Sequence, residues 1–425
     1  MFYLIENKEQ LDVLTHSGYK EAFIEIIPYS DLIHPSQSNV SLMYIRPLEA
    51  SKGFMVCIHH SEVSNELITY KTSVVSLIKK FEKLYCRDKK EVLHYFPLKT
   101  LYDITPPPHT YIRPTTQTHD LYYNNHKDNP EINLIIPIVK HYELCEIIFG
   151  DLKANINREK TKYYEFFNNK VSLVFNYLER SGIQVHKPTF EEYFHKIDGE
   201  RIYTQYNLRT TTTRPSNKFK NVNYASLSHK NGCRKSFIPN NNLLIDIDIS
   251  AYHPSLCCLL IDYTFPVVDI HSHLQTLYKV DYKTSKELTF KQLYGGIFKQ
   301  YEGIEFFKRI GIYVKELWDE FELNGKVVCP ISHYVFEKSR LEDMNPQKLF
   351  NYFLQNLETS LNVLILWDMC RILVGKKTKL VLYCYDSFLL DYDENEPEVF
   401  EEIKKIFTKY KLNIKIKQGY DYDFK

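Results

Sequence analysis

The stretch LLIDIDISAYHP, residues 243–254, constrains the fold more than any other in the chain. It begins as apolar as a buried strand, yet Asp246 and Asp248 stand at alternate positions. Successive side chains of a strand point to opposite faces, so Ile245, Ile247 and Ile249 share an apolar face and Asp246, Asp248 and Ser250 form a row on the other. A second acid of this kind, Asp386, lies in LVLYCYDSFLLDYD, residues 380–393, which reads as the last clear strand. An unpaired carboxylate is costly to bury, so something must compensate it. If the two strands pair, Asp248 and Asp386 converge. Two facing carboxylates then share a proton, coordinate divalent cations, or are satisfied by Lys, Arg or Tyr.

The chain has 425 residues, enough for two or three domains, with 44% hydrophobic and 25% charged residues as in ordinary globular proteins. No apolar run reaches the roughly 18 to 20 residues that span a bilayer, and the start MFYLIENKEQLDVL has no basic region followed by a long apolar stretch. The expectation is a cytoplasmic, uncleaved protein with no membrane partner. The nine cysteines are scattered without a CxxC pair, so reduced buried thiols are expected rather than zinc ligands or disulfides. The 34 tyrosines fit either base-stacking surfaces or an AT-rich genome.

Along the chain, residues 18–60 read as strands around EAFIEIIPYS and GFMVCIHH, and SVVSLIKKFEKLYC as a helical pattern. The proline run at 106–108 marks a candidate boundary. A long helix is expected over REKTKYYEFFNNKVSLVFNYLER, stopped by Gly182. Residues 201–235 hold eight Lys or Arg and no acid, which suits either phosphate contacts or a solvated basic loop. A helix-rich region at 270–325 follows, then a helix with Asn345 as cap, Pro346 in its first turn and Gly375 as its stop. The acidic run at 391–403 reads as a solvated helix start.

In KELTFKQLYGG, Lys286, Phe290 and Tyr294 recur every four residues and share one face of a helix. A cation followed by two aromatic platforms suits a triphosphate, a base and a template junction, although such stripes elsewhere are core.

The order of these elements resembles the polymerase core of family A DNA polymerases, the bacterial DNA polymerase I type. Asp248, Ser250 and His253 resemble its motif A. Lys286, Phe290, Tyr294 and Gly295 match its motif B, and Tyr385, Asp386 and Ser387 match motif C in part. TTTRPSN resembles the family's minor-groove segment, which implies DNA contact by Arg214. CRKSFIP resembles the basic stretch before motif A, with Arg234, and DIH implies that His271 meets the triphosphate. Asn351 and Gln355 repeat the helix that touches primer-template, and IKIKQGYDYDFK looks like the family's closing strand and tail. The resemblance covers about residues 160–425.

It implies a mixed α/β right-hand fold: thumb at about 151–200, palm at about 201–265 and 326–425, and fingers at about 266–325. The implied activity is template-directed DNA synthesis by a short, phage-encoded member, with DNA primer-template and dNTPs as partners. Two Mg2+ ions, replaceable by Mn2+, would be held by Asp248 and Asp386 about 3.5 to 4 Å apart. Lys286 would complete the catalytic set, and His253, His271, Phe290 and Tyr294 would bind the nucleotide. Asp246 lies outside the family pattern and either supports metal binding or is salt-bridged.

The departures carry their own implications. Tyr282 stands where the family has Arg, leaving Lys279 or Lys283 as substitutes. His253 replaces the Glu that excludes ribonucleotides, and Tyr-Asp-Ser-Phe resembles single-subunit phage RNA polymerases, so RNA synthesis is the alternative activity. Phe290 implies discrimination against dideoxynucleotides. Only about 20 residues separate ERSGI from the basic segment, implying a reduced thumb and low processivity unless a processivity factor or other replisome protein assists. Residues 1–150 resemble a degenerate RNase H-like, 3'-5' exonuclease-like domain or an unrelated scaffold. Glu25 and Asp31 have the wrong spacing for proofreading. A catalytically inactive nucleic-acid-binding protein and a nuclease complete the alternatives.

Overall fold

The computed structural model describes residues 2–64, 71–98, 100–105, 114–126 and 128–424. The proline run at 106–108 lies outside them. The chain forms two compact units, Met1–Arg180 and Ser181–Lys425, so the boundary falls later than residue 150 and the segment read as thumb is divided between the units.

In the first unit, β1 (Tyr3–Ile5), β2 (Glu21–Pro28), β3 (Val40–Pro47), β4 (Phe54–Cys57), β5 (Lys83–Cys86) and β6 (Leu101–Asp103) form a sheet in the order β1-β4-β3-β2-β5-β6. The central strand β2 runs antiparallel to β3 and parallel to β5. Helices α1 (Lys8–Thr15), α2 (Lys71–Ile78), α3 (Lys89–Tyr95), α4 (Gln117–His126) and α5 (Ile138–Leu152) accompany it. β2 and β3 are buried on both faces because both are covered. Ile24, Ile26 and Ile45 join a core with Leu77 of α2, while Phe23, Ile27 and Tyr44 join one with Ile148 of α5. This agrees with the α/β layout expected for the amino-terminal region.

SVVSLIKKFEKLYC is not wholly helical. The helix stops at Ile78, and Lys83–Cys86 becomes a strand because Leu84 and Cys86 pair between β2 and β6. The long helix expected over 158–180 is interrupted: α6 (Lys162–Phe166), a π-helical turn at Phe167–Val171, then α7 (Ser172–Ser181). In the widened turn Asn168 accepts from the Asp103 amide at 2.6 Å and donates to its carbonyl at 3.2 Å, tying the helix to β6. Gly182, at φ 65°, provides the expected stop.

The first unit also buries charge. Lys90 Nζ and His94 Nε2 lie 2.5 and 3.0 Å from the fully buried Glu179 carboxylate. Removing one partner of such a group strands the others. Glu179→Ala is therefore expected to destabilise this unit by about 3–5 kcal/mol, read from the denaturant midpoint. A loss below about 1 kcal/mol would contradict this placement.

The second unit opens with β7 (Ile183–Gln184), α8 (Lys187–Tyr193) and β8 (Arg201–Ile202), followed by the small antiparallel sheet of β9 (Tyr206–Asn207), β10 (Ser216–Phe219) and β11 (Val222–Asn223). The basic segment thus consists of short strands and 3-10 turns joined by irregular stretches. β12 (Leu243–Ile249) leads through Ala251, in the left-handed region at φ 47°, into α9 (Tyr252–Leu260). The helix-rich region consists of α10 (Ile270–Tyr278), α11 (Tyr282–Gly295) and α12 (Glu305–Asn324). The ribbon β13 (Lys326–Val328) and β14 (Val335–Glu337) precedes α13 (Pro346–Ile372), which Asn345 caps by accepting from the Lys348 amide, as expected.

Residues 380–393 are not one strand but a hairpin, β15 (Lys379–Cys384) and β16 (Ser387–Tyr392), turning at Tyr385 and Asp386. Apolar and aromatic residues run almost continuously through both strands, which hides the two-residue turn. After α14 (Pro397–Lys409), β17 (Ile414–Gly419) completes a sheet in the order β15-β16-β12-β17. The 391–403 run is a helix start only from Pro397. Asp391 is buried and accepts from the Asn240 and Asn241 amides at 3.1 and 2.9 Å.

Candidate active site

β12 is flanked on both sides by antiparallel partners, with Asp248 opposite Ser387 of β16 and Lys415 of β17. The pairing puts Asp248 beside the hairpin turn, where the Asp386 carbonyl accepts from the Ile249 amide at 2.9 Å. The two carboxylates therefore meet at the end of the central strand. Asp386 occupies the turn rather than a strand.

They line a cavity of about 400 Å³ together with Arg214, His253, His271, Tyr282, Lys286, Phe290, Tyr294, Glu358 and Lys415. The sequence separates these residues by as much as two hundred positions; the fold brings them to one wall. α11 presents Lys286, Phe290 and Tyr294 to the cavity, with the last two rings stacked at 5.8 Å, while Ser285, Thr289, Gln292 and Leu293 are buried behind them. Asp281 caps this helix by accepting from the Thr284 amide. Tyr282 lines the cavity; Lys279 and Lys283 do not.

Burial raises the Asp248 carboxyl to about 6, reinforced by Asp386 and Asp246 and opposed by Lys417 and Lys286. Asp386 is raised by burial too, with Glu358 adding to the shift and Arg214 opposing it. Asp246 accepts from the Ser387 hydroxyl, and its carboxyl is raised by burial. Its cross-strand neighbour is Lys417. Among the described residues no group of three or more His, Cys, Asp or Glu is placed to hold a metal. The carboxylate pair still fits a hard cation of the Mg2+ kind, which takes one or two carboxylates and completes its shell with water and substrate phosphate.

His271, at the start of α10, is 3% exposed and neither ring nitrogen has a hydrogen bond. Burial and the Lys286 charge lower its pKa. It faces the cavity as a neutral imidazole with bonds to offer.

The remaining expected residues lie outside the lining. Arg234 donates to the Leu227 carbonyl at 3.0 Å and stacks over Tyr422 at 4.6 Å. Asn351 donates to the Tyr294 carbonyl at 2.9 Å, and Gln355 accepts from the Thr212 hydroxyl at 3.1 Å. Asn351 and Gln355 thus hold α11 and the 210–214 segment against α13.

Sequence reasoning missed Glu358, Asn362 and Lys415. The first two belong to a polar stripe of α13, Asn351, Gln355, Glu358 and Asn362, at helical spacing. Lys415 and Lys417 alternate on β17 as Asp248 and Asp246 do on β12.

Asn362 supports the turn from below. Its amide donates to the Tyr385 carbonyl at 2.7 Å and the Tyr383 hydroxyl at 2.8 Å, while its oxygen accepts from Tyr252 at 2.7 Å. Asn362→Leu removes these three bonds and frees the Asp386 turn. It is expected to cost about 1–3 kcal/mol of stability and about a hundredfold in turnover. Unchanged steady-state kinetics would contradict that support role.

No family model and no curated protein matches the sequence. Among solved structures the chain has a likeness in fold alone. The match is to the POL domain of Pol1 from M. smegmatis in complex with DNA primer-template and dNTP, with a TM-score of 0.72 over 99% of each chain and 12% sequence identity. Among the described residues, no helix is long and apolar enough to cross a membrane.

Proposed function

We propose that the chain is a template-directed DNA polymerase that adds deoxynucleotides to a primer 3'-hydroxyl. The observation that carries this reading is a single cavity lined by Asp248, Asp386, Lys286, His271, Phe290 and Tyr294, in a chain whose fold matches a POL domain. Asp248 and Asp386 would hold the two divalent cations. When bound, these ions activate the primer hydroxyl and neutralise the leaving pyrophosphate. Lys286 offsets charge on the triphosphate, and His271 contributes a desolvated N–H to a phosphate oxygen. Phe290 and Tyr294 offer stacking surfaces to the incoming base. The 201–265 and 326–425 regions would serve as palm, and 266–325 as fingers. Arg214, Arg234, Asn351 and Gln355 would border the DNA duplex.

Proofreading is absent in this reading. In the first unit the acids near β2 are committed: Arg87 binds Glu25 at 2.9 Å and Glu91 at 3.3 Å, and Asp103 accepts the Lys89 and Thr105 amides. A guanidinium there supplies the positive charge a metal would otherwise bring.

His253 at the cavity favours one second reading, ribonucleotide incorporation. Extension of a labelled DNA primer on a DNA template with Mg2+, comparing dNTPs with rNTPs, separates the two. Extension by dNTPs is expected. Preferential rNTP use would transfer the chain to RNA synthesis, and no extension with either would leave a nucleic-acid-binding protein without catalysis.

A further inference from the structure

Glu358 lies in the middle of α13 with its side chain 2% exposed, yet it is a carboxylate. One oxygen accepts from His253 Nε2 at 2.5 Å and the other from an Arg214 guanidinium nitrogen at 3.3 Å. The opposite ring nitrogen of His253, Nδ1, lies 2.5 Å from the Tyr294 hydroxyl. The order of protons follows. A carboxylate only accepts, so Nε2 carries a hydrogen; in the neutral imidazole Nδ1 then presents its lone pair to the Tyr294 hydroxyl. The two rings meet edge to face at 5.6 Å. Five separate segments are joined this way, because Arg214 also stacks on Tyr385 at 3.7 Å beside Asp386.

The relay has a definite place in the cavity. Lys286 and Tyr294 are eight residues apart on α11, so they are separated by about 12 Å along its axis. With the triphosphate at the Lys286 end, next to His271, the Tyr294–His253 pair stands where a nucleotide's sugar and base come to lie. We propose that Glu358 is a positioning residue for sugar selection. It fixes His253, and through it Tyr294, as a rigid wall at the sugar end of the cavity, so discrimination against ribonucleotides depends on a side chain that does not touch the nucleotide. The inference rests on the polymerase reading above. Without the carboxylate the imidazole can rotate, the Tyr294 hydroxyl loses its acceptor, and the wall yields to a 2'-hydroxyl.

The test measures kcat/KM for a dNTP and its matching rNTP in wild type, Glu358→Ala, Glu358→Gln, His253→Ala and the Glu358→Ala/His253→Ala double variant. Loss of such an orienting partner is worth about 10- to 100-fold. The dNTP-to-rNTP ratio is expected to fall by that factor in Glu358→Ala and by less in Glu358→Gln, whose oxygen still accepts from Nε2. The double variant should be no less selective than His253→Ala alone, since the two residues act as a unit. A merely structural role would lower both nucleotides equally and leave the ratio in place. Should Glu358→Ala not fold, Tyr294→Phe keeps the ring, breaks the relay at its other end, and is expected to lower the ratio likewise. A wild type that discriminates, with an unchanged ratio in Glu358→Ala and Tyr294→Phe, overturns this inference alone, as does a wild type that uses both nucleotides equally. A wild type that extends with neither nucleotide overturns the polymerase reading and this inference with it.

Discussion

Asp248→Asn is expected to lower primer extension by at least about a thousandfold while making the metal-free protein more stable at neutral pH. The sign follows from the raised carboxyl. Asp248 titrates near 6 in the fold against an ordinary value of 3.8, so the folded state prefers its protonated form. Ionisation then costs the fold stability as pH rises from about 4 through 6, and the full penalty is present at pH 7.5. The amide never ionises. Because Asp248 is half-buried, solvent screening reduces the gain to about 1–2 kcal/mol. The two proteins should converge below pH 4 in denaturant titrations without divalent cations. Added Mg2+ should raise the melting temperature of wild type more than that of the variant. A variant less stable at pH 7.5, or one keeping a tenth of wild-type extension, would contradict the assignment.

Lys286→Ala carries the second large effect. The lysine stands at the cavity wall with no anionic partner among the described ion pairs, so its charge remains available to a triphosphate. Phosphoryl transfer gains most from charge placed where charge develops, and removing one such group costs about 100- to 1,000-fold in kcat. KM for the nucleotide should also rise. Single-turnover incorporation separates the two effects. A variant with raised KM and unchanged kcat would mean that Lys286 binds ground state and transition state equally.

The acidic row on β12 and the cation-aromatic face of α11 were legible because each repeats with the period of its own element. Even the clustering of Asp248 with Asp386 followed from burial cost, although the turn did not. Tyr385 and Asp386 lack the glycine or asparagine that marks a two-residue hairpin, and Tyr385 adopts φ 59° without either. β5 was masked by the helical period of the residues before it, and only its partners β2 and β6 decide its conformation. Glu358 was illegible as a functional group for another reason. Its partners His253 and Arg214 are more than a hundred residues away, and a lone acid inside a long helix ordinarily faces water. Arg234, Asn351 and Gln355 were expected at the DNA; their bonds hold elements of the second unit together, outside the cavity lining.

Copying of a template by the cavity can be tested directly. The direct measurement is single-nucleotide incorporation on four primer-templates that differ only in the first unpaired base, each supplied with all four dNTPs separately, for wild type and Asp386→Asn. Each template is expected to direct its complementary nucleotide in wild type, and the variant to incorporate none. Incorporation of the same nucleotide on all four templates, or an active Asp386→Asn, would contradict it.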